Sequence, residues 1–523
     1  MTDTFFILLF SKTHSALCKK SVRHLFACVF SAIFLILSHP PYHFWLLAWF
    51  ALVPFLYVLK DKRFWPAFGL GYLFGLMYCF GMFWWFVHVT LPGMILLNMY
   101  LALYFALFGA TVSLVPRKPL AWRVILVSCA WVVWEFARAH FLSGFGWACL
   151  GHTQYRQILM TQIADMTGVY GISFLLVVVN QYHCFVFRHW RKGHKAVRAF
   201  RSFSLIAVCL LVMVIFYGAA RVIRFSVPSK RAFKAALVQP NIAQKDKWNP
   251  LKHDDIFERL MILSKDALRE DPDIIVWPEA SLPAFPGAWD TAVGRVQECA
   301  RTLRTPILLG YVCKKDGAYY NSAGLVSGEG KLVREYDKLH LVPFGEFVPL
   351  RRWFPFLTRI VPIGDITAGQ KATVFVLEKE GGVYPFSVLV CFEDTVSDVV
   401  RRQVKAGAQI LVNITNDAWF GDTKAPWLHL QSAVLEAVSY KRPLIRCTNT
   451  GVTAAVSSYG KIKRVFRGRG GNAVFCSGIL NTATGSRKDT TLSLVFGDIF
   501  AYLCIACLCA GVIINNINTK PKI

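Results

Sequence analysis

Three stretches of this sequence bring an ionisable side chain to the point where an apolar strand would end. In the first, Ile274-Ile275-Val276 runs into Trp277-Pro278-Glu279. Pro278 has no amide hydrogen and cannot extend a ladder, so Glu279 follows an enforced break. Taken alone, its plainer reading is a carboxylate capping the next helix. In the second, Lys338 lies in Tyr336-Asp337-Lys338-Leu339-His340-Leu341-Val342-Pro343-Phe344-Gly345-Glu346, among apolar residues with a proline and a glycine following. A lysine shielded from water can stabilise developing negative charge or shift its own pKa. The plainer reading here is a snorkelling lysine paired with Glu346. In the third, Phe386-Ser387-Val388-Leu389-Val390 ends in Cys391-Phe392-Glu393. A cysteine after such a run is ordinarily buried and inert, because thiolate chemistry needs a base or a cation close by. Taken together, the three supply a sulfur nucleophile, a base and a cationic stabiliser, the parts that acyl transfer requires.

The elements that must position these groups alternate. Strands are expected at 233–238, 273–277, 306–312, 386–391 and 410–414, with helices at 254–269, 290–304, 395–406 and 426–440. That alternation predicts an α/β domain with helices covering sheets. The domain is placed at about 231–482, long enough to bury its own core.

The rest of the chain is different. Of 523 residues, 55% are hydrophobic and 15% aromatic, yet the formal charge is +27. A nucleic-acid binder has no use for so much Leu, Phe and Trp, so the basic charge is expected in cytoplasmic loops and near lipid headgroups, with no nucleic acid as partner. Residues 24–225 form a transmembrane domain of seven apolar segments, near 24–39, 42–59, 66–88, 92–115, 121–139, 167–187 and 203–223. An eighth follows at 493–515. The first is read as a retained span rather than a signal peptide, since it ends in His39-Pro40-Pro41 with no small-residue cleavage site. Lysine and arginine collect before the first span and after the second, fourth, sixth and eighth, while the connections after the first and third carry none. Residues 1–23 and the tail 516–523 are therefore expected in the cytoplasm and the α/β domain on the outer face. Glu135 and Arg138, near the end of one span, are expected to pair inside the bundle. Cys504 and Cys507 form a C-x-x-C inside an apolar run and read as structural; the cysteines show neither a metal site nor a disulfide framework.

Glu in Trp-Pro-Glu, Lys in Asp-Lys-x-His-Leu-Val-Pro-Phe-Gly-Glu and Cys in Cys-x-Glu, in this order, resemble the Glu–Lys–Cys constellation of the nitrilase (carbon–nitrogen hydrolase) superfamily over about 233–480. The resemblance implies a four-layer α-β-β-α sandwich in which Glu279 takes the thiol proton, Cys391 attacks a carbonyl and Lys338 stabilises the oxyanion. Set between seven spans and an eighth, the domain is similar to the apolipoprotein N-acyltransferase family of the bacterial inner membrane. That likeness includes Trp134-Glu135-Phe136-Ala137-Arg138, Gly144-Phe145-Gly146-Trp147, Lys247-Trp248, Asn416-Asp417-Ala418-Trp419-Phe420-Gly421 and Arg446-Cys447-Thr448-Asn449. Residues 1–23 have no counterpart, and Phe392 stands where a tyrosine is common.

The family implies transfer of a fatty acyl chain from a phospholipid, through a Cys391 thioester, to the α-amine of a diacylglyceryl-cysteine apolipoprotein, with no cofactor or metal. Glu346 and Glu393 would assist Lys338, and Trp248, Trp419 and Phe392 would face substrate. Trp353, Phe354, Phe356 and Leu357, flanked by Arg351, Arg352 and Arg359, suit the headgroup boundary or dock onto the protein's own spans. A membrane-tethered amidase or nitrilase shares the triad and is the alternative enzyme. A scaffold or transporter with a degenerate nitrilase domain is the non-enzymatic one, against which the intact Glu279, Lys338 and Cys391 speak.

Overall fold

The computed structural model describes residues 21–117, 119–189, 197–227, 232–282, 289–348, 366–379 and 382–519. The aromatic-basic stretch at 351–359 lies outside them. Contacts divide the chain into two compact units. One holds the residues up to Gln154 with Val169–Val214 and Ile499 onwards; the other holds Tyr155–Gly168 and Ile215–Asp498.

Among the described residues, six helices are long and apolar enough to cross a membrane: Ser21–Ser38, Phe64–His88, Leu91–Leu114, Leu120–His140, Ala164–Arg188 and Ala207–Ser226. Two of the eight expected spans are shorter apolar helices, Trp45–Leu59 and Ile499–Asn515. The first breaks where the 3-10 turn Trp45–Trp49 gives way to Val53–Leu59, with Pro54 in its opening turn. The second starts late because Gly497, at φ 63°, ends the preceding turn Leu492–Phe496. Small residues let two spans approach closely: a Cβ at Gly71 would strike the Phe105 carbonyl, and one at Gly109 the Ala67 carbonyl. Glu135 and Arg138 lie near enough to feel each other's charge but form no direct ion pair. Glu135 accepts from Leu150 N at 2.7 Å, and Arg138 donates to Trp147 O at 2.7 Å, so both brace the turn at 147–150. A buried backbone turn has its own unmatched donors and acceptors, and these outbid a direct ion pair.

The second unit is built on two six-stranded sheets. The first contains β1 (Phe233–Gln239), β2 (Ile274–Val276), β3 (Ile307–Lys315), β4 (Ala318–Val326), β5 (Leu332–Asp337) and β12 (Gly478–Thr484), in the order β12-β1-β2-β3-β4-β5. The second contains β6 (Phe375–Lys379), β7 (Gly382–Val390), β8 (Ile410–Thr415), β9 (Leu444–Thr448), β10 (Ala454–Val456) and β11 (Ile462–Val465), in the order β11-β10-β9-β8-β7-β6. Within them β1, β2 and β3 run parallel, as do β7, β8 and β9.

Period-two alternation sorts each strand between two cores. Ala235, Leu237, Ile274, Val276 and Leu308 face the second sheet's Val388, Val390, Val412, Ile414 and Ile445. Their neighbours Ala236, Val238, Ile275, Trp277, Ile307 and Leu309 meet Leu260 of helix His253–Ala267 and Val296 and Ala300 of helix Trp289–Leu303. Helices Ser397–Lys405 and Ala425–Ser439 pack on the second sheet. This is the α-β-β-α sandwich that the sequence implied. Each fully buried Val, Leu, Ile or Phe contributes about 1.5–3 kcal/mol, so the two-sided strands fix their own register.

Candidate active site

Parallel strands put their carboxyl ends on one edge, where loops can gather side chains into a crevice. Four loops do so here. Val276 is the last residue of β2, Trp277 continues alongside β3 by donating to Leu308 O at 2.8 Å, and Pro278 then turns the chain out. Ala280 takes φ 46°, and Glu279 is left 8% exposed with its carboxylate inward. Its Oε1 accepts from Asn321 Nδ2 at 2.9 Å and its Oε2 from the Asn416 amide at 2.9 Å. Close approach matters as well. A Cβ at Gly310 would come within 2.7 Å of Glu279 Cα and 2.9 Å of Ala280 N. Gly310→Ala therefore displaces the carboxylate. A misplacement near 1 Å lowers acyl transfer by about 10²-fold, while overpacking destabilises by about 1–3 kcal/mol. Single-turnover rates beside thermal unfolding separate the two effects.

Lys338 is the first residue after β5 and is 1% exposed. Its amide donates to Asn321 O at 2.9 Å, and its Nζ lies 2.8 Å from Glu346 Oε2 and 3.9 Å from Glu279 Oε1. Burial pushes its pKa down, but the Glu346 and Glu279 carboxylates outweigh burial and hold it above the ordinary lysine value. Asn321 also reaches Glu346 Oε1 at 2.7 Å, so a single amide group ties both carboxylates. The expected partner Glu346 is found, but the lysine is enclosed rather than snorkelling.

Cys391 opens a 3-10 turn, Cys391–Thr395, directly after β7, and stands at φ 55°. A non-glycine residue in the left-handed region is held there by its surroundings. The Asn413 side chain donates to Cys391 O at 2.7 Å. Burial raises the thiol pKa, the Glu279 charge raises it further, and Lys338 opposes both. The resting sulfur is thus a protonated thiol, and it needs a base to act.

Glu393 fastens the nucleophile loop to the lysine loop. Oε1 accepts from the Leu339 and His340 amides at 2.7 and 3.0 Å, and Oε2 from Val390 N at 2.8 Å; Tyr336 OH reaches both oxygens at 2.9 Å. Burial pushes this carboxyl up to about 7, against the pull of Lys338 and these donors. Protonation removes an acceptor from a set of donors, so thioester formation falls as pH drops below about 7. In Glu393→Gln that limb is lost and the rate is low throughout, which a pH series of single turnovers checks. Stability runs the other way: a carboxyl whose folded pKa is raised from 4.5 favours the fold below about 4.5, a contribution lost as pH rises through about 7.

Around this centre, Trp248 is 40% and Trp419 50% exposed, while Phe392 is half-buried and packs edge-on against His340 at 5.3 Å between ring centroids. Three contributors were given no role by the sequence reading, although Lys247 and Asn416 stand in stretches shared with the family. Asn321 lies on β4, a strand not anticipated there, and the Asn416 amide acts through backbone. The third is Lys247, 2% exposed, which donates to Glu279 O at 2.8 Å; burial pushes its pKa down to about 8. Its signal in the sequence was the family-like pair Lys247-Trp248. No cluster of His, Cys, Asp and Glu suited to a metal occurs among the described residues, and no disulfide joins the described cysteines, Cys504 and Cys507 included.

Two family descriptions match this chain: "Apolipoprotein N-acyltransferase N-terminal domain" over residues 31–182 and "Carbon-nitrogen hydrolase" over 234–468. An apolipoprotein N-acyltransferase of Geobacter metallireducens is 37% identical over 507 residues, covering 92% of this chain and 94% of that protein. One of Chlorobaculum tepidum is 30% identical over 447 residues, 79% and 82% of the two chains. Among solved structures, an amidase from Nesterenkonia aligns over 50% of this chain and 94% of its own at 18% identity and a TM-score of 0.38.

Proposed function

Since the chain belongs to the apolipoprotein N-acyltransferase family, an enzyme family of the membrane, we propose that it carries a fatty acyl group on Cys391 between two lipid substrates. In the first step Glu279 takes the thiol proton and the sulfur attacks the ester carbonyl of a phospholipid. Lys338 faces the developing oxyanion. The carbon–oxygen bond breaks, and the leaving alkoxide regains the proton from Glu279 as lysophospholipid. In the second step the free α-amine of a diacylglyceryl-cysteine attacks the thioester and gives its proton to Glu279. The carbon–sulfur bond then breaks, and the amide leaves with the thiol restored. A thioester keeps enough transfer potential to acylate an amine, and two steps avoid holding both lipids at once.

The observation that carries this reading is the gathering of one carboxylate, one ammonium and one thiol from three separate loops, with the first two almost completely buried. A buried ammonium already matched by two carboxylates is preorganised for a new negative charge and need not reorganise during reaction. Glu346, with Glu279, keeps Lys338 charged, and Glu393 holds the lysine loop in register. The exposed faces of Trp248 and Trp419, with Phe392, receive the acyl chains. We place the catalytic unit on the periplasmic side of the bacterial inner membrane, on the distribution of Lys and Arg between the loops.

The test is the purified protein in vesicles containing a phospholipid with a fluorescent acyl chain, supplied with a diacylglyceryl peptide bearing a free α-amine. Label on the peptide nitrogen is the expected result. Free fatty acid with unmodified peptide would make the protein a hydrolase instead.

A further inference from the structure

Behind Cys391 lies a closed ring of four charged side chains that the reaction above does not use. Asp394 stands on the nucleophile turn Cys391–Thr395, and Asp417 on the turn Asp417–Phe420 that follows β8. Between them sit His429, from helix Ala425–Ser439, and Arg446, from β9. His429 Nε2 is 2.8 Å from Asp394 Oδ1, and its Nδ1 is 2.9 Å from Asp417 Oδ1. Arg446 Nη1 is 2.5 Å from Asp394 Oδ2, and its Nη2 is 3.1 Å from Asp417 Oδ2. Each basic group thus touches both carboxylates, and none of the four side chains is more than 1% exposed. Arg446 Nη2 also approaches His429 Nδ1 at 2.7 Å, so a neutral imidazole would accept there while its Nε2–H still reached Asp394. That state would forfeit the Nδ1 contact to Asp417, whereas the protonated ring donates to both carboxylates; burial and Arg446 oppose its charge, but Asp394 and Asp417 outweigh them and hold its pKa above the ordinary imidazole value.

What it joins gives it meaning. Asp417 is next to Asn416, whose amide holds Glu279 Oε2. Asp394 shares its short turn with Cys391. Arg446 Nη1 also donates to Asn413 Oδ1 at 3.0 Å, and Asn413 in turn donates to Cys391 O at 2.7 Å. The ring therefore ties the loop that carries the sulfur to the loop that fixes the carboxylate, through two planar groups that cannot stretch. Four buried charges are an expensive way to gain stability, and well-packed apolar side chains serve as well. Rigid bidentate bridging is what apolar packing does not provide.

We propose that His429 and Arg446 are positioning residues that fix the separation of Cys391 from Glu279 by bridging Asp394 to Asp417. The proposal rests on the acyl-transfer reading above. It is tested in the full-length protein with His429→Gln, Arg446→Lys and Asp394→Asn, each examined for thermal unfolding, phospholipid KM and the single-turnover rate of thioester formation. Alkylation of Cys391 by iodoacetamide is followed in parallel. Each folded variant is expected to lose about 10²-fold in the acylation rate with KM within about twofold, as a displaced reacting group does. Arg446→Lys is the sharpest of the three, because it keeps the charge and loses the fork. A folded Arg446→Lys or His429→Gln that acylates at the wild-type rate overturns the proposal. Unfolding of all three variants overturns it too, assigning the ring to stability. Cys391→Ala, run alongside, keeps the two ideas apart: thioester persisting in that variant would sink the nucleophile assignment whatever the ring does.

Discussion

Protein carrying Cys391→Ala forms no acyl-enzyme, and peptide acylation falls by about 10⁴-fold or more, the scale on which removal of a covalent nucleophile acts. In the proposed reaction the sulfur is the atom that bonds to the acyl carbon. It stands directly after β7 on a left-handed residue that packing and Asn413 hold in place, so alanine removes the reacting atom while leaving the turn formed. Cys391→Ser goes the same way, since a hydroxyl in this environment is a still weaker acid than the burial-raised thiol. Cys447 is the internal control. It is fully buried between the sheets, its Sγ 3.2 Å from both Val238 O and Val276 O. Cys447→Ser retains those donations and therefore the thioester. Mass spectrometry of protein isolated from membranes decides: a fatty-acyl increment mapping to Cys391 is expected in the wild type and in Cys447→Ser. An increment on another residue would remove Cys391 from the mechanism.

Glu279→Gln slows both half-reactions by about 10²–10⁴-fold, as loss of a positioned general base does. Burial, the larger cause of the raised thiol pKa, remains when the Glu279 charge is removed, so the sulfur still needs a base. The substituted amide keeps an oxygen for the Asn416 amide, but its NH₂ group must then face Asn321 Nδ2, donor against donor. Stability accordingly falls by about 1 kcal/mol, not by a folding-scale amount. Rapid-quench measurement of thioester formation, and of its aminolysis from preformed acyl-enzyme, reads the two steps separately. Loss of less than tenfold in both would show that another group takes the proton, and the buried Lys247 beside Glu279 would be examined first.

How far the sequence discloses this centre depends on which kind of structure holds each part. Glu279 and Cys391 are legible because each follows an apolar run bounded by a visible break, and β2 and β7 lie close to where that pattern puts them; Lys338 is legible only from its motif, since it follows β5, a largely polar strand not anticipated there. Asn321 is not legible. Its strand, Ala318–Val326, begins at a turn and alternates weakly, and its role comes from pairing with β3 and β5 rather than from its own neighbours. The Asn416 amide is backbone and leaves no trace in composition. The same limit explains the membrane segments. Apolar length predicted spans at 42–59 and 493–515, whereas local backbone chemistry at Pro54 and Gly497 divides each of them. Glu135 and Arg138 were matched by type, but the turn at 147–150 needed a donor and an acceptor more than they needed each other.

One pairing bears on how the enzyme is made. The strand that opens the first sheet, β1, lies antiparallel to the one that closes it, β12, with Phe233 opposite Thr484 and Gln239 opposite Gly478. A ribosome delivers these partners at opposite ends of the domain, so β1 waits with an open edge until nearly the whole domain has been synthesised. Contacts between residues so distant in the chain form late. Base and nucleophile come from different sheets, so Cys391, itself added late, stays an ordinary cysteine until β12 closes the first sheet.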